Sequence, residues 1–291
     1  MKRIGIIGGS GLYEMDGVSG LEEVRVATPF GDPSDAVLTG TLDGHAVAFL
    51  PRHGRGHRYS PSEINYRANI WALKSVGVDF ILSVSAVGSM REEIEPGHLV
   101  IVDQFIDRTR GARKDTFFGD GCVGHVGIAD PICHTLLGVL AESAREAEVM
   151  HHVGGTYVCI EGPQFSTRAE SHTYRMWDVS VIGMTNVTEA KLAREAEVHY
   201  ATIAMATDYD VWHESEADVS VDAVIATLMA NVHRAKAVIR EAVPRIVKAR
   251  GYTSCACGDA LAHAVMTAPA LITPQARERL GLFMRRYWEA G

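Results

Sequence analysis

The chain has 291 residues, 47% of them hydrophobic, which is enough to bury a large core and too many for a disordered chain. Its formal net charge of −8 argues against general nucleic-acid binding, yet leaves room for a local basic site that takes a small anion. No stretch reaches the roughly 18 apolar residues of a membrane span. The short, glycine-broken run MKRIGIIGGSG lacks the form of a signal peptide, so a cytoplasmic protein with neither membrane nor nucleic-acid partners is expected.

In chain order, Lys2–Gly8 reads as a short apolar strand ending in glycines. Ala36–Leu42 and His45–Pro51 read as a hairpin across Asp43-Gly44, a favoured turn pair. Ser60-Pro61-Ser62-Glu63 has the form of a capping box with proline in the first turn, so a helix is expected from there through Trp71 to Gly77. Phe80–Ser85 and His98–Val102 read as strands, and Ile132–Met150 has helical spacing. Gly155–Ile160 is a strand, Thr167–Trp177 a helix, Val179–Met184 a strand, Glu189–Glu197 a helix and Val198–Met205 an almost wholly apolar strand. Ser220 is placed to cap a long helix reaching at least Glu241, with Pro244 bending or splitting it. After Gly251 a linker leads into two helical stretches.

Strands alternating with helices indicate an α/β fold with a central mixed, largely parallel twisted sheet flanked by helices. Residues 1–250 are expected to form that domain, and residues 251–291 a C-terminal helical extension packed on it. Ligands of open α/β sheets bind outside the carboxyl ends of the strands. The residues following each strand are Gly8-Gly9-Ser10-Gly11, Arg52-His53-Gly54, Ser85-Ala86-Val87-Gly88, Glu161-Gly162-Pro163, Met184-Thr185-Asn186 and Asp208-Tyr209-Asp210.

Gly5–Gly11 is neither a dinucleotide fingerprint nor a Walker loop. The third glycine of the former would fall at Glu14, and no Gly-Lys-Ser/Thr follows. What remains is a tight turn whose N–H groups and Ser10 hydroxyl suit one phosphate. Arg52, His53, Arg55 and His57 share one loop, and arginine's planar fork suits a phosphate. The four-residue spacing of His53 and His57 would fit helical zinc ligands, but Gly54 and Gly56 break a helix there, so no metal is expected. Ser85 and Thr185 are hydroxyls at strand ends, suited either to a phosphate or to plain helix capping. Phe165, on a loop, suits stacking on a flat ligand or stapling the next helix. Asp208 and Asp210 lie two apart, so strand geometry carried to Asp210 would send both carboxylates to one side. Such proximity raises the pKa of each. The five cysteines are scattered; Cys255-Ala256-Cys257 reads as a loop, a redox pair or half a metal site.

From Ile4 to about Ile225, the segments IGIIGGSGL, TPFGDPSD, PRHGRGH, NYRANIWALK, SAVGSMREEI, VDQFIDRT, EGPQFSTRAES and ATDYDVW resemble those of the 5′-methylthioadenosine phosphorylases. These belong to the trimeric purine nucleoside phosphorylase family. The resemblance implies a cofactor-free homotrimer that uses inorganic phosphate as co-substrate and releases adenine and 5-methylthioribose 1-phosphate. It implies a phosphate site of Ser10, Arg52, His53, Ser85, the Ala86 backbone and Thr185. Phe165 would stack on the purine and Met184 would lie under the ribose. Asp208 would act as general acid to the base, and Asp210 would accept from its 6-amino group. Val221, Val224 and Ile225 would line the methylthio pocket with His57, and His125 would reach across from a neighbouring subunit. Ser10 and Ser85 replace the threonine of many relatives, which keeps the hydroxyl. Gly183 replaces an asparagine of animal relatives, which removes a side chain near the base. The Cys-x-Cys of the tail is similar to that of some archaeal members, where such cysteines can be paired. The competing expectation is a broader phosphorylase acting on adenosine or inosine.

Overall fold

The computed structural model describes residues 2–109, 111, 113–213, 221–249 and 251–289, without the side chains of residues 10, 221–226, 253 and 254. The strands are β1 (Arg3–Gly8), β2 (Val18–Val24), β3 (Val37–Leu42), β4 (His45–Pro51), β5 (Val78–Ser89), β6 (Leu99–Ile101), β7 (Gln104–Arg108), β8 (His151–Val153), β9 (Thr156–Ile160), β10 (Val181–Gly183) and β11 (His199–Asp208). The helices are α1 (Tyr66–Ser75), α2 (His134–Glu146), α3 (Arg168–Met176), α4 (Asn186–Glu195), α5 (Val221–Lys248) and α6 (Pro274–Trp288).

The strands form one mixed sheet in the order β2-β3-β4-β1-β5-β10-β9-β7, with β11 branching from β5, β6 beyond β11 and β8 beyond β6. β1 runs parallel to β4 and β5, and β5 runs parallel to β11. β5 is the branch point. Phe80–Gly88 pair along β11, while Gly88 and Ser89 also pair with β10 in antiparallel sense. The ends of both arms therefore meet around one stretch of β5. β11 is buried throughout until Asp208, as expected of a strand covered on both faces, which is why its sequence is largely apolar from Tyr200 to Ala206.

The hairpin forms as expected, with both Asp43 (φ 46°) and Gly44 (φ 82°) left-handed, as a two-residue primed turn requires. Thr167 caps α3 in a complete capping box with Glu170.

Three expectations change. Glu63 does accept the Ser60 N–H at 2.9 Å, but the chain stays in turns and α1 begins at Tyr66. Asn65 makes the actual cap by accepting the Ala68 N–H, and the Ser62 hydroxyl is spent on Glu161. α5 runs on through Pro244 to Lys248; the Ser220 cap lies outside the described residues. Of the two helical stretches after Gly251, one is α6, and the other is a series of short 3-10 turns. α6 inserts Ala276, Leu280, Phe283 and Met284 into the same core as β1, β4, β5 and α1. At burial worth roughly 25 cal/mol per Å² of apolar surface, these four side chains hold the extension on the domain.

Candidate active site

Arg52 leaves β4 and enters the interior rather than solvent, only 3% exposed. Its Nε and Nη2 donate to the two carboxylate oxygens of Glu189, Nη1 donates to the Val84 carbonyl at 2.8 Å and Nη2 to the Ser83 hydroxyl at 2.6 Å. Burial alone would lower its pKa, and the Glu189 carboxylate outweighs that and holds it above the ordinary value. Four of its five donors are thus used within the protein, so an anion would meet Arg52 through the remaining Nη1 hydrogen only. Glu189 was not foreseen; it stands four residues after Thr185, one turn into α4.

His53 donates from Nδ1 to the Tyr59 carbonyl at 2.7 Å, which makes Nε2 the acceptor of a neutral ring. Burial, helped by the Arg52 charge, lowers its pKa to about 4. His53 therefore meets an anion as a neutral ring near pH 7. His57, exposed and left-handed at φ 54°, stacks on it at 4.1 Å.

Thr185 occupies the position before α4 but makes no capping bond; its hydroxyl donates to Asn186 Oδ1 at 3.1 Å. The Asn186 amide nitrogen in turn lies within hydrogen-bond reach of the Ser83, Tyr200 and Thr202 hydroxyls, with two hydrogens to share among them. The alternative reading of Thr185 as a plain cap thus fails. Ser85 is 7% exposed, with the fully buried Tyr157 hydroxyl at 3.5 Å. The Tyr157 hydroxyl lies 1.9 Å from where a Cβ on Gly183 would stand, so it fills the space beside β10 that only glycine leaves open. Burial raises its pKa.

The two acids converge, but not by strand alternation. β11 stops at Asp208, and Asp210 turns back with φ 53°. The Asp210 N–H donates to Asp208 Oδ1 at 2.8 Å. A Cβ on Gly88 would lie 3.0 Å from Asp208 Oδ1 and 3.3 Å from Asp210 Cβ, so both acids close over that glycine. Burial raises the pKa of Asp208, opposed by the Thr207 hydroxyl and the Asp210 N–H. Burial also raises that of Asp210, with the Asp208 charge adding to it. The buried Asp210 Oδ2 makes no well-formed hydrogen bond among the described residues, although the nearby Ser171 hydroxyl opposes the rise of its pKa; it is an acceptor suited to an incoming donor.

Ser10 lies in a 3-10 turn after β1, and the Gly8 carbonyl accepts from the Arg52 N–H at 2.9 Å, which ties the two loops together. Ala86 sits within β5, beside Ser85. Phe165 is half exposed on the loop before α3. Met184 follows β10, its sulfur 2.5 Å from a Cβ position on Gly162. Its carbonyl accepts from Arg113, a buried residue that also binds Glu161 and that sequence reading missed. Only the backbone of Val221, Val224 and Ile225 is described, at the start of α5. His125 stands apart, exposed beside Lys191, Arg194 and Glu195 of α4.

Residues 3–244 match the model of the phosphorylase superfamily. An S-methyl-5′-thioadenosine phosphorylase of Geobacter sulfurreducens is 59% identical over 98% of each chain. Among solved structures, a methylthioadenosine phosphorylase from an Antarctic soil metagenomic library has 48% identity, a TM-score of 0.91 and coverage of 97% of this chain and 98% of its own. A methylthioadenosine phosphorylase from Schistosoma mansoni in complex with adenine has 38% identity and a TM-score of 0.83, covering 89% and 96%. The chain is an enzyme and belongs to the phosphorylase superfamily, alongside the S-methyl-5′-thioadenosine phosphorylases that it matches end to end.

Proposed function

We propose that the protein cleaves 5′-methylthioadenosine with inorganic phosphate, giving adenine and 5-methylthioribose 1-phosphate, in purine and methionine salvage. The observation that carries this reading is the pair of half-buried Asp208 and buried Asp210, closed over Gly88 with both pKa values raised. Breaking the glycosidic bond leaves electron density on the purine, and a carboxylic acid that keeps its proton near neutral pH can neutralise it. Asp208 fills that role. Asp210 Oδ2 accepts from the 6-amino group; a 6-oxo purine would face it with another acceptor, at about 1–3 kcal/mol for the unpaired buried group.

Ser10, His53, Ser85, the Ala86 N–H and Thr185 hold the phosphate under C1′. Its charge stabilises the cationic sugar as it attacks, without a covalent enzyme intermediate. The neutral His53 accepts a proton-bearing phosphate oxygen, while Arg52 contributes its one remaining donor and fixes β5 and α4 through Glu189. Phe165 and Met184 cover base and ribose. Val221, Val224, Ile225 and His57 surround the methylthio group, with His125 of a neighbouring copy. A cytoplasmic, cofactor-free homotrimer is part of the same proposal.

Phosphate-dependent release of base from methylthioadenosine, adenosine and inosine tests it. Methylthioadenosine should have the highest kcat/KM, and equal efficiency on inosine would sink the role of Asp210.

A further inference from the structure

We propose that Cys133, His199, Cys255 and Cys257 form a structural metal site, taking a soft divalent cation of the zinc type, at the amino end of β11. The Cys-x-Cys pair lacks a second half in sequence. The fold brings that half to it from two other segments, the residue before α2 and the first residue of β11.

The Cys133 sulfur lies 3.3 Å from His199 Nδ1 and 3.6 Å from the Cys255 sulfur, and the Cys255 and Cys257 sulfurs are 3.1 Å apart. All four donor atoms lie within 4.8 Å of one another. Zinc bonds of about 2.3 Å to sulfur and 2.0 Å to nitrogen, set tetrahedrally, put neighbouring donors about 3.5–3.8 Å apart. The quartet therefore needs only small shifts to enclose an ion. A disulfide would use two sulfurs at about 2 Å and leave the third sulfur and the imidazole unexplained. Three sulfurs and one imidazole select zinc-like ions over hard cations.

The surroundings suit a closed site. Cys133, Cys257 and His199 are buried, whereas Cys255 is partly exposed and gives the ion a way in. The His199 ring is held by stacking on Phe80 at 5.0 Å and by the edge of Tyr252 at 4.8 Å. Binding displaces the thiol protons to solvent and leaves one net negative charge on three thiolates, an imidazole and a dication.

Four protein donors leave no open position for water or substrate, so the role is structural. The ion would clamp the segment after Gly251 to α2 and β11. The ten-residue β11 separates it from Asp208 by about 30 Å, so it takes no part in the reaction.

The full chain, purified with reductant and without chelator, should carry about one zinc per chain by elemental mass spectrometry. Exchange for cobalt(II) should give thiolate-to-cobalt charge-transfer bands and the intense visible bands of a tetrahedral ion. Cys133→Ser and Cys257→Ser should lose the metal and lower Tm, and Asp208→Asn should retain it. If the cysteine variants fail to fold, the cobalt spectrum of the unaltered chain still decides the matter. Substoichiometric zinc with no such spectrum, or a Cys255–Cys257 disulfide in the protein as isolated, would overturn the proposal.

Discussion

The Thr207 hydroxyl has one proton and two oxygens within reach, Asp208 Oδ2 at 2.6 Å and the Val87 carbonyl at 3.2 Å. A carbonyl can only accept. When Thr207 donates to Val87, its lone pair is open to a proton on Asp208, and the chain of hydrogen bonds is complete. A neutral Asp208 is thus satisfied where it stands, although as a donor to the carboxylate Thr207 opposes the rise in pKa that burial causes. Activity should follow that proton. As pH rises through the raised pKa, kcat/KM for the nucleoside should fall. Asp208→Asn should lower turnover by about tenfold or more and abolish that alkaline fall. A pH–rate profile unchanged by the substitution would move the acid elsewhere. Gly183 yields a second prediction at this scale. Its missing Cβ leaves room for the Tyr157 hydroxyl, so Gly183→Ala should overpack the site at about 1–3 kcal/mol and lower Tm. An unchanged melting curve would count against that packing. The two acids were legible as a pair because their spacing is local. How they meet was not, because a left-handed Asp210 and the close approach over Gly88 depend on β10 and β5.

At the scale of elements, α4 carries two buried carboxylates with different fates. Glu189 faces Arg52, while Glu195 accepts from the Phe117 N–H and the Thr116 hydroxyl, both at 2.7 Å, with no cation in direct contact among the described residues. Burial raises the Glu195 pKa from 4.5 to about 7, because the two hydrogen bonds do not offset the lost hydration. The folded state therefore holds that proton more tightly than the unfolded chain. Its contribution favours folding fully below pH 4.5 and is lost as pH rises to about 7, at most about 3 kcal/mol. Glu195→Gln should flatten that part of the stability profile in urea titrations at pH 5 and pH 8. A wild-type and variant difference that stays constant with pH would refute it. Elements with strong periodicity or turn chemistry were readable, as β4, α3 and β11 show. β2 was not, since five of its seven residues are exposed and it exists by pairing with β3. The Arg52–Glu189 pair was hidden for the same kind of reason. Its partners are far apart in sequence, and they meet only because Arg52 reaches past Ser83 and Val84 of β5 to α4.

For the whole molecule, the proposed role of His125 calls for a neighbouring copy. His125 lies on an exposed loop with Val123 and Ile128, both exposed apolar side chains, and its own backbone N–H is held by Ala264. It stands beside α4 rather than with Asp208 and Asp210, so within one chain it does not join the two acids. Exposed apolar groups around a fixed loop are what a subunit contact would bury. If a neighbour supplies His125, the chain should sediment at three times its own mass, and His125→Ala should raise KM for methylthioadenosine with little change in kcat. Mixed assembly separates this from a local effect. Asp208→Ala chains have an intact His125, and His125→Ala chains have an intact Asp208. Co-assembled, they should form some sites with both groups and recover the unaltered KM in a fraction of the activity, because a ring of three would be heterologous. A monomer with undiminished affinity, or mixtures whose KM never departs from that of His125→Ala alone, would show that each chain closes its own pocket.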